Sequence, residues 1–167
     1  MEKVTINKSI TLSEHYTLGE VTKSRHAEIC NIPSHVAIEN LKRVCAWLEE
    51  LRFTYNTLYC LKSGDDYETS KNVEPIVINS GYRSPQLNKK VGGSPTSNHL
   101  TGCAVDIRVA GIEQAMRYAV ILMDYADETR QDYDELFIER NKSGGYWLHF
   151  AVRPKDNRRK TMFLCNQ

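Results

Sequence analysis

The chain has 167 residues, 41% of them apolar and 26% charged, the make-up of one ordinary globular domain with a core of its own. Its formal net charge of +1 offers no electrostatic reason to expect nucleic acid or a membrane as partner. No apolar run reaches the length of a membrane span, and the N-terminus lacks the apolar core of a secretory signal, so synthesis in the cytoplasm without a signal peptide is expected.

Taken in chain order, Thr17 and Glu20 have the spacing of a capping box, which predicts a short helix from Leu18 to about Cys30. Ser34 is the expected N-cap of a clearer helix. Along it Ala37, Leu41, Val44, Leu48 and Leu51 step by fours and threes and lay one apolar stripe. The pattern fades near Phe53. Residues 54–74 are polar and read as a long surface loop, with a short strand over 57–61. This segment suits either a wall of a groove or a tolerated insertion.

Ile76, Val77 and Ile78 form a β-branched run and predict a buried strand. Ser84 followed by Pro85 is a helix start, and Gly92-Gly93 can end that helix. A loop over 94–102 and a strand over 104–109 come next. Ile112, Ala115, Met116, Ala119, Leu122 and Met123 make a second helical stripe. Two strands, 135–139 and 146–152, are joined as a hairpin through 141–145. The tail from Pro154 is basic and polar as far as Met162-Phe163-Leu164. Helices first, then strands mixed with helices, predict an α+β fold. The expected architecture is a small antiparallel sheet with helices packed on one side. The whole of 1–167 is read as one domain, with a helical N-terminal part over 1–53 and a chemical core over 76–153.

The five cysteines, Cys30, Cys45, Cys60, Cys103 and Cys165, are widely spaced with no C-x-x-C. This argues against a disulfide framework and a thiolate metal site, and predicts reduced, mostly buried thiols. His15, His26 and His35 read as surface or capping residues.

The richest stretch lies between Ile78 and Ile107. It holds His99 and Asp106, and far downstream comes His149. Two imidazoles and one carboxylate form a donor set that zinc accepts in catalytic sites, where three protein ligands leave a position open. Asp106 sits between Val105 and Ile107 in a predicted buried strand, where a carboxylate needs a partner. Gly102 allows a tight bend between His99 and Asp106.

The longer pattern is S-G-Y-R-S, then V-G-G-S-x-x-S-x-H-L-x-G-x-A-x-D-I, then W-x-H. It closely resembles the zinc D-alanyl-D-alanine carboxypeptidase family, which shares its fold with the amidase-like domain of Hedgehog signalling proteins. The resemblance is strongest over 76–107 and 136–152, with a weaker echo over 12–18 and 38–41. It implies zinc held by His99, Asp106 and His149, and places Arg83 where it can stabilise negative charge on a carbonyl oxygen. Ser97 resembles a family serine near the substrate and equally suits a loop-capping hydroxyl. Tyr82 and Trp147 are further expected substrate contacts, although Tyr82 more readily packs than reacts.

Many relatives carry an acid three residues before the last histidine, where this chain has Tyr146, a poor base. Another branch has a glutamate at the end of the preceding strand, and Glu139 occupies that place. With Ser143 at the centre of the turn, Phe137 falls opposite His149 and Glu139 opposite Trp147. That register puts Glu139 on the face of His149. Glu139 is the expected general base, with Asp134 and Glu135 in reserve. Cys103 fills space, and Arg158-Arg159-Lys160 reads as a solvated charge run or a contact for an anionic wall polymer.

The implied function is zinc-dependent hydrolysis of peptidoglycan stem peptides, as carboxypeptidase or endopeptidase, by a monomer. Absence of a signal favours a phage-type endolysin or tail enzyme released through a partner device. The rivals are a cytoplasmic D-Ala-D-Ala dipeptidase, a zinc-bound but inactive recognition module, and a structural phage component without metal.

Overall fold

Thr17 opens the first helix of the computed structural model, which describes residues 7–165. The ends of the expected domain, 1–6 and 166–167, lie outside the described residues. The capping box is present on α1 (Leu18–Thr22): the Thr17 hydroxyl accepts the Glu20 N–H, and the Glu20 carboxylate accepts the Thr17 N–H. The helix stops at Thr22 and does not continue towards Cys30. Its terminal carbonyls are satisfied by distant chain instead of another turn. Val21 O accepts the Tyr82 N–H at 2.7 Å, and Thr22 O accepts the Asn31 side-chain amide at 2.9 Å.

Ser34 caps α2 (His35–Tyr55), accepting the Ala37 N–H at 3.2 Å. The whole predicted stripe from Ala37 to Leu51 is buried. Past Tyr55 the helix widens into a π-helical turn, Asn56–Cys60, where a strand was expected. Buried Asn56 anchors that turn. Its amide donates to the Arg52 and Glu74 carbonyls, and its Oδ1 accepts the Glu74 N–H at 2.6 Å.

Among the described residues the sheet has five strands: β1 (Ile78–Ser80), β2 (Ala104–Arg108), β3 (Glu135–Arg140), β4 (Tyr146–Ala151) and β5 (Lys160–Cys165). Their spatial order is β1-β2-β4-β3-β5. β1 begins at Ile78, two residues later than the β-branched run suggests. The first four strands pair antiparallel, but β5 runs parallel to β3, which corrects the expectation of a purely antiparallel sheet. The reason is the path of the chain. Ala151 ends β4 opposite Glu135, and Lys160 starts β5 opposite the same residue. The intervening segment only crosses the end of β3, so the chain must then run alongside β3 in its direction. Backbone bonds from Arg159 N–H to Tyr133 O and from Lys160 N–H to Asp134 O hold that crossing.

Alternation along the strands sorts the two faces. Val105, Ile107, Leu136, Leu148 and Phe150 join the core, each burial contributing about 1.5–3 kcal/mol. Against this face pack α2 and α4 (Ile112–Thr129), as Trp47 shows with its ring 4.8 Å from Tyr125 and 5.4 Å from Phe150. The α+β class and the one-sided helix layer thus match expectation. The buried face of α4 is Ala115, Tyr118, Ala119, Ile121, Leu122 and Ala126. Ile112 and Met116 from the predicted stripe are exposed. The remaining helix, α3 (Pro85–Lys90), is capped by Ser84 and begins with the predicted proline.

All five thiols are free; Cys45 and Cys103 are buried, Cys60 is half-buried, and Cys30 and Cys165 are exposed, against the expectation of mostly buried thiols. His15 pairs with Glu49 at 2.8 Å and His26 with Glu28 at 3.3 Å, as surface histidines do.

Candidate metal centre

The face of the sheet opposite the helices bounds a cleft of about 630 Å³. The strands supply Asp106, Glu135, Phe137, Glu139, Trp147 and His149 to it, and the loop after α3 supplies the far wall. None of the lining residues comes from 54–74, so that segment does not wall the cleft.

Asp106 on β2 and His149 on β4 are direct cross-strand partners, and Phe137 on β3 is the partner of His149 on its other side. The register Glu139 opposite Trp147 is the one expected from the hairpin. Phe137 stacks on the His149 ring at 5.5 Å between centroids. His99 comes from outside the sheet, on a 3₁₀ turn, Asn98–Thr101, within the predicted loop. Ser97 caps this turn by accepting the His99 N–H at 3.3 Å, and it also lines the cleft. Gly102 closes the turn at φ +73°, and a Cβ there would lie 2.4 Å from the Ala37 carbonyl oxygen. Only glycine meets both demands.

The three side chains converge. One ligand atom from each of His99, Asp106 and His149 lies within 4.8 Å of the others. His99 Nε2 is 3.2 Å and His149 Nδ1 is 3.0 Å from the same oxygen, Asp106 Oδ1. The outward nitrogens settle the tautomers. His99 Nδ1 lies 2.6 Å from Gly81 O, a carbonyl that can only accept, so Nδ1 carries the proton. His149 Nε2 lies 3.3 Å from Glu135 Oε2 and donates there. When neutral, both imidazoles therefore turn lone pairs towards a carboxylate oxygen. Three lone pairs turned towards one partly buried point could hold a cation between them. The donor set fits a divalent metal ion such as zinc.

The electrostatics agree. Burial alone pushes the Asp106 carboxyl up, but the His99 charge and the hydrogen bonds from both histidines hold it well below the usual range. Burial opposes charge on His149, yet its bonds to Asp106 and Glu135 raise it to about 9.

Arg83 reaches the same centre. Its Nε donates to Ser80 Oγ at 2.8 Å and its Nη2 to Asp106 Oδ2. Its backbone N–H donates to His99 O at 3.0 Å, tying the S-G-Y-R segment to the ligand turn. Tyr82, expected beside the substrate, is packed in the core and does not line the cleft. The tight approach of Gly81 to Val21 O, 2.3 Å from an added Cβ, places Tyr82 there beside α1. Tyr146 sits on the core side of β4, packed against the apolar cluster, because three residues along a strand reverse the face.

The acids held in reserve separate clearly. Asp134 has a fully buried side chain, which Arg153 and Arg158 engage at 2.9 and 2.6 Å. It is outside the cleft lining. Glu135 lines the cleft with both oxygens engaged: Oε1 accepts from Arg158 at 2.6 Å, and Oε2 accepts from Asn98 at 2.8 Å and faces His149. The His149 bond above all keeps its carboxyl below the usual range. Arg158 and Arg159 are consequently not a free charge run; Arg159 pairs with Asp127 and Asp132. Asn98 and Arg158 escaped sequence reasoning. Only Asn98, next to a predicted ligand, carried any local signal.

Residues 65–132 match the family model described as Peptidase M15. The matched stretch contains Arg83, His99 and Asp106 but ends before Glu135 and His149. No curated protein matches the chain. The match, over less than half of the chain, supports the M15 zinc peptidases as the general family, a class of hydrolases, and the convergent cluster could bind the metal such a reading needs. Among the described residues no helix is long and apolar enough to cross a membrane.

Proposed function

We propose that the chain is a zinc-dependent peptidase of the M15 kind with a Hedgehog/DD-peptidase-like fold, hydrolysing amide bonds in peptidoglycan stem peptides. The observation that carries this reading is the convergence of His99, Asp106 and His149 at the floor of an open cleft, with both imidazole tautomers set for a cation. A divalent ion held by His99, Asp106 and His149 would polarise a carbonyl and make a water nucleophilic near neutral pH.

The chain's own groups divide the remaining work. Glu139 lines the cleft on the His149 face. Its carboxylate takes the proton of the attacking water and returns it to the leaving amine. Glu135 is a poor candidate for that step because both of its oxygens are committed; it is a positioning residue that fixes the His149 ring. Arg83 offers a permanent positive charge to the developing oxyanion. Trp147 forms a flat wall for the peptide, and Ser97 holds the His99 turn while presenting its hydroxyl to the cleft. Peptidoglycan is the substrate favoured by the sequence resemblance.

Metal analysis of the purified protein, together with mass spectrometry of muropeptides after digestion, tests the proposal. Stoichiometric zinc and a defined mass loss from stem peptides are expected, and the product masses name the bond. Zinc without any cleavage would point to a recognition module; cleavage of free D-Ala-D-Ala but not of intact wall would point to a dipeptidase. Protein that takes up no metal would end the reading.

A further inference from the structure

The cleft continues past Arg83. Arg83 and Val91 are shared with a second hollow of about 350 Å³, whose other walls include Lys23, Ser24, Arg25 and His26. The two compartments differ in charge. The metal side carries Asp106, Glu135 and Glu139, whereas among the described residues the second hollow is lined by Lys23, Arg25, His26 and Arg83 and by no carboxylate. Two of its cations are already engaged: Arg83 pairs with Asp106, and His26 Nδ1 lies 3.3 Å from exposed Glu28. Lys23 and Arg25 are exposed and pair with no carboxylate among the described residues.

The fold sets these cations in one hollow with Arg83, whose guanidinium also reaches Asp106. α1 ends at Thr22 because its carbonyls bind Tyr82 N–H and Asn31. Asn31 also donates to Tyr82 O at 3.0 Å and accepts the Ser84 N–H at 2.7 Å. The chain that leaves α1 is thereby stitched to both flanks of Arg83, and Ser24 Oγ turns it by accepting the His26 N–H at 3.0 Å. Had α1 continued to Cys30, Lys23 and Arg25 would be spread around a helix instead of lying along one hollow.

We propose that this hollow is a subsite for a carboxylate of the substrate, held by Lys23 and Arg25 while the scissile amide lies across His99, Asp106 and His149. The inference rests on the peptidase reading above and adds a chemical preference to it. Lys23 and Arg25, which no carboxylate among the described residues neutralises, favour a carboxylate over a carboxamide of the same shape, because only the acid gains from their field. The carboxylate is either the chain terminus of the peptide or an acidic side chain within it.

The test uses the full chain loaded with zinc and short stem-peptide fragments in matched pairs. One pair differs by amidation of the C-terminus, the other by glutamine in place of glutamate. Dissociation constants are measured by NMR titration on wild type and on Lys23→Ala/Arg25→Ala, and cleavage is followed separately by mass spectrometry. Wild type should prefer the acid of one pair by roughly three- to tenfold, the scale of two exposed charge contacts. The double variant should lose that preference and bind the amide as before; the responding pair names the carboxylate. Equal binding of acid and amide by wild type, a preference that survives the double variant, or no binding at all would each overturn the subsite. Absence of cleavage with the binding preference intact would instead count against the peptidase reading alone.

Discussion

Glu135 on β3 and His149 on β4 meet diagonally across the hairpin, with Oε2 3.3 Å from Nε2. The contact fixes which nitrogen of His149 faces Asp106. Arg158 and Asn98 in turn hold Glu135, so the orientation of the His149 ring depends on β3, on the His99 turn and on the crossing before β5.

Replacing Glu135 with Ala should weaken zinc binding by about 10–100-fold, the usual loss when a ligand histidine loses its outer partner. Glu135→Gln retains an acceptor oxygen and should recover most of the affinity. Competition with a chromophoric chelator measures both; an Ala variant with wild-type affinity would remove Glu135 from the positioning role.

Glu139→Gln should retain zinc and lose about 10²–10⁴-fold in turnover, the range for loss of a general base. The readout is metal content beside the rate on muropeptides. Unchanged turnover would move the base elsewhere on the cleft.

The acid limb of stability should report Asp134. Burial alone raises its carboxyl, but bonds from Arg158 and Asn98 outweigh this and hold it below its ordinary value of 3.8. A carboxyl lowered on folding stabilises the protein fully above its unfolded pKa, and that contribution is lost as pH falls through the lower folded value. Wild type should therefore lose stability steeply below about pH 4. Asp134→Asn should be less stable at pH 7 by about 1–3 kcal/mol and show a shallower acid limb in denaturant melts. Parallel acid limbs would contradict the assignment.

Gly102→Ala should cost about 1–3 kcal/mol, since alanine must adopt φ +73° and its Cβ meets the Ala37 carbonyl. Because Gly102 closes the His99 turn, zinc affinity should fall together with the melting temperature. A variant as stable and as metal-avid as wild type would show that the turn relaxes freely.

Much of this molecule was legible along the chain because its signals are local. The α2 stripe, the Thr17 and Ser34 caps, the Pro85 helix start and the β3–β4 hairpin follow from periodicity and turn chemistry. The hairpin register already implied that Glu139 shares a face with His149. Imidazole and carboxylate at His99, Asp106 and His149 are donors a metal ion accepts, and the resemblance carried by the longer motif singled these three out.

Long-range pairing left no such trace. That α1 stops at Thr22 follows from Tyr82 and Asn31, and that β5 lies parallel to β3 follows from where β4 ends. The partnership of Glu135 with Arg158 and the core position of Tyr82 likewise arise from chain brought together from afar. A hydrophobic period tells a segment which side to bury, but a carbonyl or carboxylate accepts any donor that arrives. Which donor does arrive is decided when the whole chain packs, and in this protein that choice sets the ring of His149 and the place of Lys23 and Arg25 beside the cleft.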